Sequence, residues 1–282
     1  MNNEIENHIR KSKIIFKNYC IDRKYKYKNI LPKVKIGNKN EAILIEFRQL
    51  ESLKFIITNA IYRLGNEWSF TVVCGINNFE FIKKIGEEFN INLRIIKLEK
   101  YNITRMEYSV MLLDKIFWNK FHGENLIIYQ EDTIIFKKLS NKFLEYDYIG
   151  SPFPNGRVGN GGLSFRKKKF MGEICEKYFN PIFSKMEKNL EFYENTKKKL
   201  EIKGINYLKD SKFYFLYLIE KNLLEDLLIS NIIYEKKKYK IPDFKTALEF
   251  SVEKYYHNNP FGGHQFWYCV KNIKKWLDKN LK

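Results

Sequence analysis

Between Ala42 and Tyr129 short apolar runs alternate with stretches of helical periodicity, and this alternation restricts the fold more than any other feature of the chain. Ala42-Ile43-Leu44-Ile45 is a continuous apolar run, the mark of a buried strand. Residues 50–64 then carry Leu53, Ile56, Ile57, Ala60, Ile61 and Leu64 at helical spacing, with Gly65 as a stop. Phe70 to Cys74 predicts a second strand, ended by Gly75. Phe79 to Phe89 predicts a helix and Ile91 to Leu98 a third strand. Residues 107–121 read as a helix, and Asn125 to Tyr129 as a fourth strand. Strands and helices alternating at this length predict an α/β fold with a parallel, doubly wound sheet.

The rest of the chain is less regular. Its 282 residues suffice for one large domain or two small ones, and 44% hydrophobic content excludes a disordered chain. No Gly/Ser linker divides it, so one principal domain is expected over residues 41–268. Residues 1–40 form an N-terminal basic and helical extension, with Ile5, Ile9 and Phe16 on one face. It reads as a solvated lead-in or as a basic docking arm. Residues 135–170 are expected to be loop-rich, residues 184–222 helical, residues 223–233 an apolar helix with an acidic pair near its start, and residues 269–282 a helical tail.

Fifty-one Lys and Arg against thirty-three Asp and Glu leave a net charge of +18. That admits nucleic acid, an anionic membrane or phosphate-bearing ligands as partners, and it is equally the mark of diffuse, solvated lysine. No nucleic-acid reader motif is present, so a nucleic-acid partner is not expected. Cys20, Cys74, Cys175 and Cys269 are widely spaced, which argues against a zinc ribbon or a disulfide framework. The polar N-terminus lacks a secretory apolar region, and no apolar run approaches the roughly 18 residues of a membrane span. The expectation is a soluble, cytoplasmic protein with no transmembrane segment.

Four constellations can carry chemistry. Gln130-Glu131-Asp132 follows an apolar strand directly, at the edge where ligands bind in open α/β sheets. Asp132 and Glu131 suit a hard divalent cation that completes its shell with substrate phosphates, or they form an ordinary polar turn. Gly159-Asn160-Gly161-Gly162 lets backbone approach a ligand, or is a flexible loop. Glu225-Asp226 interrupts an apolar stretch, as a general base would, or simply complements a helix dipole. His264 lies in Pro260-Phe261-Gly262-Gly263-His264 and is a candidate metal ligand, acid–base group or structural hydrogen-bonder.

The order of these four, strand-end acid, glycine run, acidic pair and late histidine, resembles the GT-A class of nucleotide-sugar glycosyltransferases. It is most similar to a poorly characterised GT-A-like family. The resemblance also rests on Ile45-Glu46-Phe47-Arg48, Phe117-Trp118, Tyr146 to Pro152 and Phe250-Ser251-Val252-Glu253, and covers about residues 41–268. It implies a GT-A-like single domain with a Rossmann-like, mostly parallel central sheet flanked by helices. It implies a divalent cation, Mn²⁺ or Mg²⁺, held by Asp132 and His264. It further implies Asp226 as base toward an acceptor hydroxyl, with Glu225 holding the acceptor or acting as base itself. Arg48, Glu46, Gln130, Glu131, Gly161 and Gly162 would meet the donor. The implied activity is inverting transfer of a sugar from a nucleoside-diphosphate sugar, UDP being the commonest donor of the class, to a glycan, lipid or protein acceptor. Gln130 departs from the class, because it replaces the first acid of Asp-x-Asp. The alternatives are a sugar nucleotidyltransferase, for which Glu46 to Leu50 lacks the required glycine-rich loop, and a non-catalytic nucleic-acid binder.

Overall fold

The apolar run after residue 40 forms β1 (Asn40–Ile45), whose last five residues are all buried. β1 is flanked by two parallel partners, β2 (Trp68–Cys74) on one side and β4 (Asn125–Tyr129) on the other. β3 (Arg94–Lys97) extends the sheet beyond β2. β7 (Val158–Lys167) and β6 (Tyr148–Pro152) extend it beyond β4, both antiparallel to their neighbours. The strand order is β3-β2-β1-β4-β7-β6. The fold is mixed α/β with a mostly parallel centre. A second, three-stranded sheet, β5 (Thr133–Ile135), β9 (Gly262–His264) and β8 (Ser251–Val252), shares no strand with it but packs against β6 and β7.

This computed structural model describes residues 3–180 and 224–282. The chain divides into two compact units. One is Met1–Asn102 with His122–Lys167 and Tyr239–Lys282, and it holds both sheets. The other is Ile103–Phe121 with Lys168–Lys238.

In the first unit α2 (Leu53–Leu64) buries the apolar stripe read from the sequence, and Gly65 ends it at φ 83°, a conformation that favours glycine. α3 (Phe79–Glu88) buries Ile82 and Ile85. The first forty residues differ from a solvated lead-in. α1 (Asn3–Asp22) buries Phe16, Tyr19 and Cys20. Phe16 meets Phe266 edge-on at 5.6 Å, and Tyr27 stacks on Tyr62 at 4.5 Å. Charge density hid this, because the lysines point outward from a helix whose other face is aromatic. α8 (Phe244–Phe250) and α9 (Ile273–Asn280) belong to the same unit.

The second unit holds α4 (Arg105–Leu112), α5 (Lys115–Asn119), α6 (Lys168–Ile174) and α7 (Glu225–Lys236). The expected helix over 107–121 is therefore two. Asp114 breaks it by accepting from the Ile116 amide at 2.9 Å, which caps α5. The expected helices of residues 184–222 lie outside the described residues. Among the described residues no helix is long and apolar enough to cross a membrane.

A buried carboxylate ties the first unit's parallel strands at their N-terminal ends. Glu41, 1% exposed, accepts from the His122 and Gly123 amides at 2.8 and 2.7 Å and from the Thr71 hydroxyl, with Arg94 at 3.5 Å. It thereby joins β1 to β2, β3 and the turn before β4. Glu41→Ala strands these donors and is expected to cost about 3–5 kcal/mol in denaturant titrations. Glu41→Gln, which keeps an acceptor, is expected to cost roughly 1–3 kcal/mol.

Candidate active site

The strand order reverses direction at β1: β2 and β3 are added on one side, and the next strand, β4, on the other. In open α/β sheets the crevice outside the C-terminal ends of strands at such a switch point receives ligands. Glu46 and Arg48 follow β1 there, and Gln130, Glu131 and Asp132 follow β4, with Leu44 paired to Tyr129 in parallel register.

Glu46 closes the end of β1. Its Oε1 accepts from the Phe47 and Arg48 amides at 2.9 and 2.8 Å and from Arg48 Nε at 2.7 Å. Arg48 Nη2 donates to Glu46 Oε2 at 2.6 Å and to Glu131 Oε1 at 2.5 Å, so one guanidinium joins the two strand ends. The Glu46 hydrogen bond holds the Arg48 pKa above its ordinary value. Burial and then the Asp132 charge push the Glu131 carboxyl up, against the pull of Arg48. Asn78 completes this corner. It is fully buried, donates to the Glu46 carbonyl at 2.7 Å and accepts from the Gly75 amide at 2.9 Å.

Asp132 and His264 come together although they are far apart in sequence. Register pairs Thr133 of β5 with His264 of β9, which brings the residue before Thr133 beside the imidazole. Asp132 Oδ1 and His264 Nε2 face each other at 3.3 Å as a buried ion pair, and neither atom hydrogen-bonds to any other group. Their other atoms are held. Gln265 Nε2 donates to Asp132 Oδ2 at 2.8 Å, and His264 Nδ1 lies 3.0 Å from Glu253 Oε2. Burial opposes charge on His264, but Asp132 first and Glu253 after it overcome this and raise its pKa to about 10. Burial likewise opposes charge on Asp132, and His264 outweighs it, so the carboxyl stays below its usual range. The imidazole lies between two carboxylates, Asp132 at Nε2 and Glu253 at Nδ1.

The glycine run is not a loop. Gly159 to Gly162 lie within β7, where Asn160 pairs with Ser151 of β6 and the pairing with β4 begins only at Leu163. A Cβ on Gly162 would fall inside the His264 ring. The missing side chain is what gives the imidazole its place. Gly161 lies beside it in the same strand, and the Gly162 carbonyl accepts from Thr133 Oγ1 at 3.2 Å.

Residues 92–264 match the family described as "Protein of unknown function (DUF5672)", a span that begins just before β3 and closes on His264. The chain belongs to that family. The span includes Asp132, the β7 glycines and the Glu225-Asp226 pair, while Glu46 and Arg48 precede it. No curated protein matches the chain. Among solved structures it is similar to a crystal structure of the glycosyltransferase GlyE in Streptococcus pneumoniae TIGR4, at 14% identity and a TM-score of 0.45. The apo-form of the same protein gives 10% identity and a TM-score of 0.45. Each comparison covers 87% of this chain and 61% of the other, so the chain spans about three fifths of their length.

In this DUF5672 chain, no group of three or more His, Cys, Asp or Glu side chains among the described residues is arranged to hold a metal. Asp132 Oδ1 and His264 Nε2, which face each other and engage no third group, nevertheless fit a cation that takes its remaining ligands from substrate phosphates and water, once the imidazole gives up its Nε2 proton. Glu253 fits as the carboxylate that fixes the histidine's tautomer. Glu225 and Asp226 lie in the second unit, in the first turn of α7. Glu225 is buried, and Asp226 Oδ1 accepts from the Leu227 amide at 2.8 Å.

Sequence reasoning gave no role to Glu253, Gln265 or Asn78. Glu253 could have been found as an acid that ends an apolar run eleven residues before a histidine. Gln265 at φ 44° is a left-handed, non-glycine position that sequence does not announce. Gly162→Ala is expected to push His264 aside and to cost roughly 1–3 kcal/mol by overpacking, measured by denaturant unfolding. Gly172→Ala, with open space at its Cβ, is the control and is expected to be near neutral or stabilising.

Proposed function

We propose that this protein is a metal-dependent glycosyltransferase. It moves a sugar from a nucleoside-diphosphate sugar, of the UDP class, to a hydroxyl of a glycan, lipid or protein acceptor, with inversion at the anomeric carbon. The observation that most supports this reading is the buried Asp132–His264 pair, whose Oδ1 and Nε2 atoms face each other at 3.3 Å at the switch-point edge of the sheet. A cation beside a departing diphosphate stabilises its charge, and these are oxygen and nitrogen donors that would hold one at the nucleotide edge of such a fold.

Asp132 and His264 would hold Mn²⁺ or Mg²⁺, which when bound supplies Lewis acidity for a departing diphosphate. Gln265 holds Asp132 Oδ2, leaving Oδ1 for the ion. Glu253 takes the His264 Nδ1 proton's hydrogen bond and so directs Nε2 toward the same point. Glu46 and Glu131 fix Arg48 at the mouth of the crevice, where a guanidinium half exposed to solvent can turn toward phosphate oxygens. Gln130 offers a neutral contact where the class has an acid, which lowers the negative charge around the ion. Gly162 leaves room for the His264 ring, and Gly161 beside it would lie against the sugar. On the acceptor side Asp226 takes the hydroxyl proton as oxygen attacks the anomeric carbon, and Glu225 positions the acceptor.

UDP with Mn²⁺ is expected to raise the melting temperature, as a native-state ligand at a hundred times its Kd stabilises by about 2.7 kcal/mol. Asp132→Asn is expected to abolish the Mn²⁺-dependent part of that rise, read against the variant's own ligand-free melt, which is expected to fall because a buried ion pair is broken. If no nucleoside diphosphate stabilises the wild-type protein with or without Mn²⁺, the reading fails.

Asp226→Asn is expected to lower turnover by roughly 10²–10⁴ and to leave UDP affinity unchanged. Wild-type turnover in that variant, or a product that keeps the donor's anomeric configuration, removes Asp226 from the base's role.

A further inference from the structure

The small sheet links the Asp132–His264 pair to a second feature at its opposite end. β5 starts beside Asp132 and runs to Phe136 and Lys137. β9 runs antiparallel to it, from the segment after Asn258 and Asn259 back to His264. The Phe136 amide donates to the Phe261 carbonyl at 2.8 Å, which continues the pairing past the strand. Arg63 from the last turn of α2, Lys279 and Asn280 from the end of α9, and Lys282 complete a pocket of about 530 Å³ with Phe136, Lys137, Asn258 and Asn259. That volume is in the ~300–1,000 Å³ range of small-molecule sites.

The chemistry of this lining is one-sided. Four cationic side chains and three carboxamides face the space, and no Asp or Glu lines it; the main-chain carboxylate of Lys282, the last residue, is the one anionic group in the lining. Arg63 Nε is buried without a hydrogen-bond partner, and its Nη2 reaches the Lys282 carbonyl only at 3.4 Å. Lys137 Nζ is held by the Asn259 carbonyl at 2.6 Å, so its charge is fixed at the rim. Behind the pocket stands another cation, Lys26, which donates to the Leu281 carbonyl at 2.7 Å. Burial and the nearby Arg63 charge lower the Lys26 pKa. Burial also lowers that of Lys137, with Glu249 opposing and Lys142 adding to the effect. Glu249 is itself paired with Lys142. Like charges gathered around one cavity repel, and an anion between them offsets that repulsion.

We propose that this pocket binds a small ligand carrying two or more phosphate groups, at a site separate from Asp132 and His264. A single anion meets one or two of the cations. A chain of phosphates spans the pocket, so that Arg63, Lys137 and Lys279 act together and the Asn258, Asn259 and Asn280 amides donate to the remaining oxygens. The small sheet then gives the two sites a common rigid element. The proposal does not depend on the glycosyltransferase reading.

The test is calorimetric titration of the full chain with inorganic tripolyphosphate, in EDTA and about 150 mM salt, where diffuse surface attraction is screened beyond roughly 8 Å. One-site binding is expected, at least tenfold tighter than for orthophosphate. Lys137→Gln with Lys279→Gln is expected to weaken it by roughly tenfold or more. Lys83→Gln with Lys84→Gln makes the same charge change on the exposed face of α3 and is expected to change it less than twofold. Asp132→Asn is expected to bind as the wild type does. Should the pocket double variant melt early, Arg63→Gln is read in its place with the same expectation. Absence of binding, equal affinity for orthophosphate, equal loss in both lysine double variants, or loss in Asp132→Asn would overturn the proposal.

Discussion

The parallel pairing of β1 with β4 is the constraint on which the candidate site rests. β1 already has β2 on one side, so β4 must come in on the other, and the two strands leave the sheet at the same edge pointing the same way. The chain that follows each strand has to turn in that one crevice. Glu46 and Arg48 after β1 therefore meet Glu131 after β4, and a single guanidinium bridges the two ends. At the opposite edge Glu41 performs the matching task with backbone amides of the turn before β4. The sheet is thus held by a carboxylate at one end of β1 and by an ion-paired corner at the other.

The Asp132–His264 pair shows how an expensive arrangement is sustained. Two buried ionisable groups persist because each is fixed from behind, Asp132 by Gln265 and His264 by Glu253. Space for the ring comes from a glycine on a different sheet, Gly162. Gly262 and Gly263 let β9 approach Leu163 and Val252 in the same way. Gly150 and Gly162, in the stretch that reads in sequence as loop, therefore act as thin places between packed neighbours, where a Cβ would collide. Their contribution is steric, and it lies in what they allow neighbouring side chains to occupy.

Extended strands transmit position over a distance that turns do not. β5 and β9 together join the pair at one end to the basic pocket at the other, and both ends draw on residues that are far apart in the chain. A cluster of Arg63, Lys137 and Lys279 is not visible as a patch in a lysine-rich sequence, since each is separated from the next by more than seventy residues of similar composition.

The sequence by itself determined the alternation that builds the parallel half of the sheet. Short continuous apolar runs such as Ala42 to Ile45 and Leu126 to Tyr129, set between helical stretches, read as buried strands, and the stripe from Leu53 to Leu64 reads as a helix face turned to a core. It also pointed to Asp132 and His264 as chemically notable, because an acid at a strand's end and a histidine in a glycine run are local patterns. Tertiary structure alone decided the rest. β6 and β7 are antiparallel additions that no local period specifies, since Gly159 to Gly162 have too little side chain to show one. The extension buries Phe16 and Tyr19 because partners from residues 55 and 266 meet them there. Glu253, Gln265 and Asn78 matter only through long-range hydrogen bonds or a backbone angle. Local pattern reports which faces of an element must leave water, but which distant group meets that face depends on the order in which strands are added to the sheet.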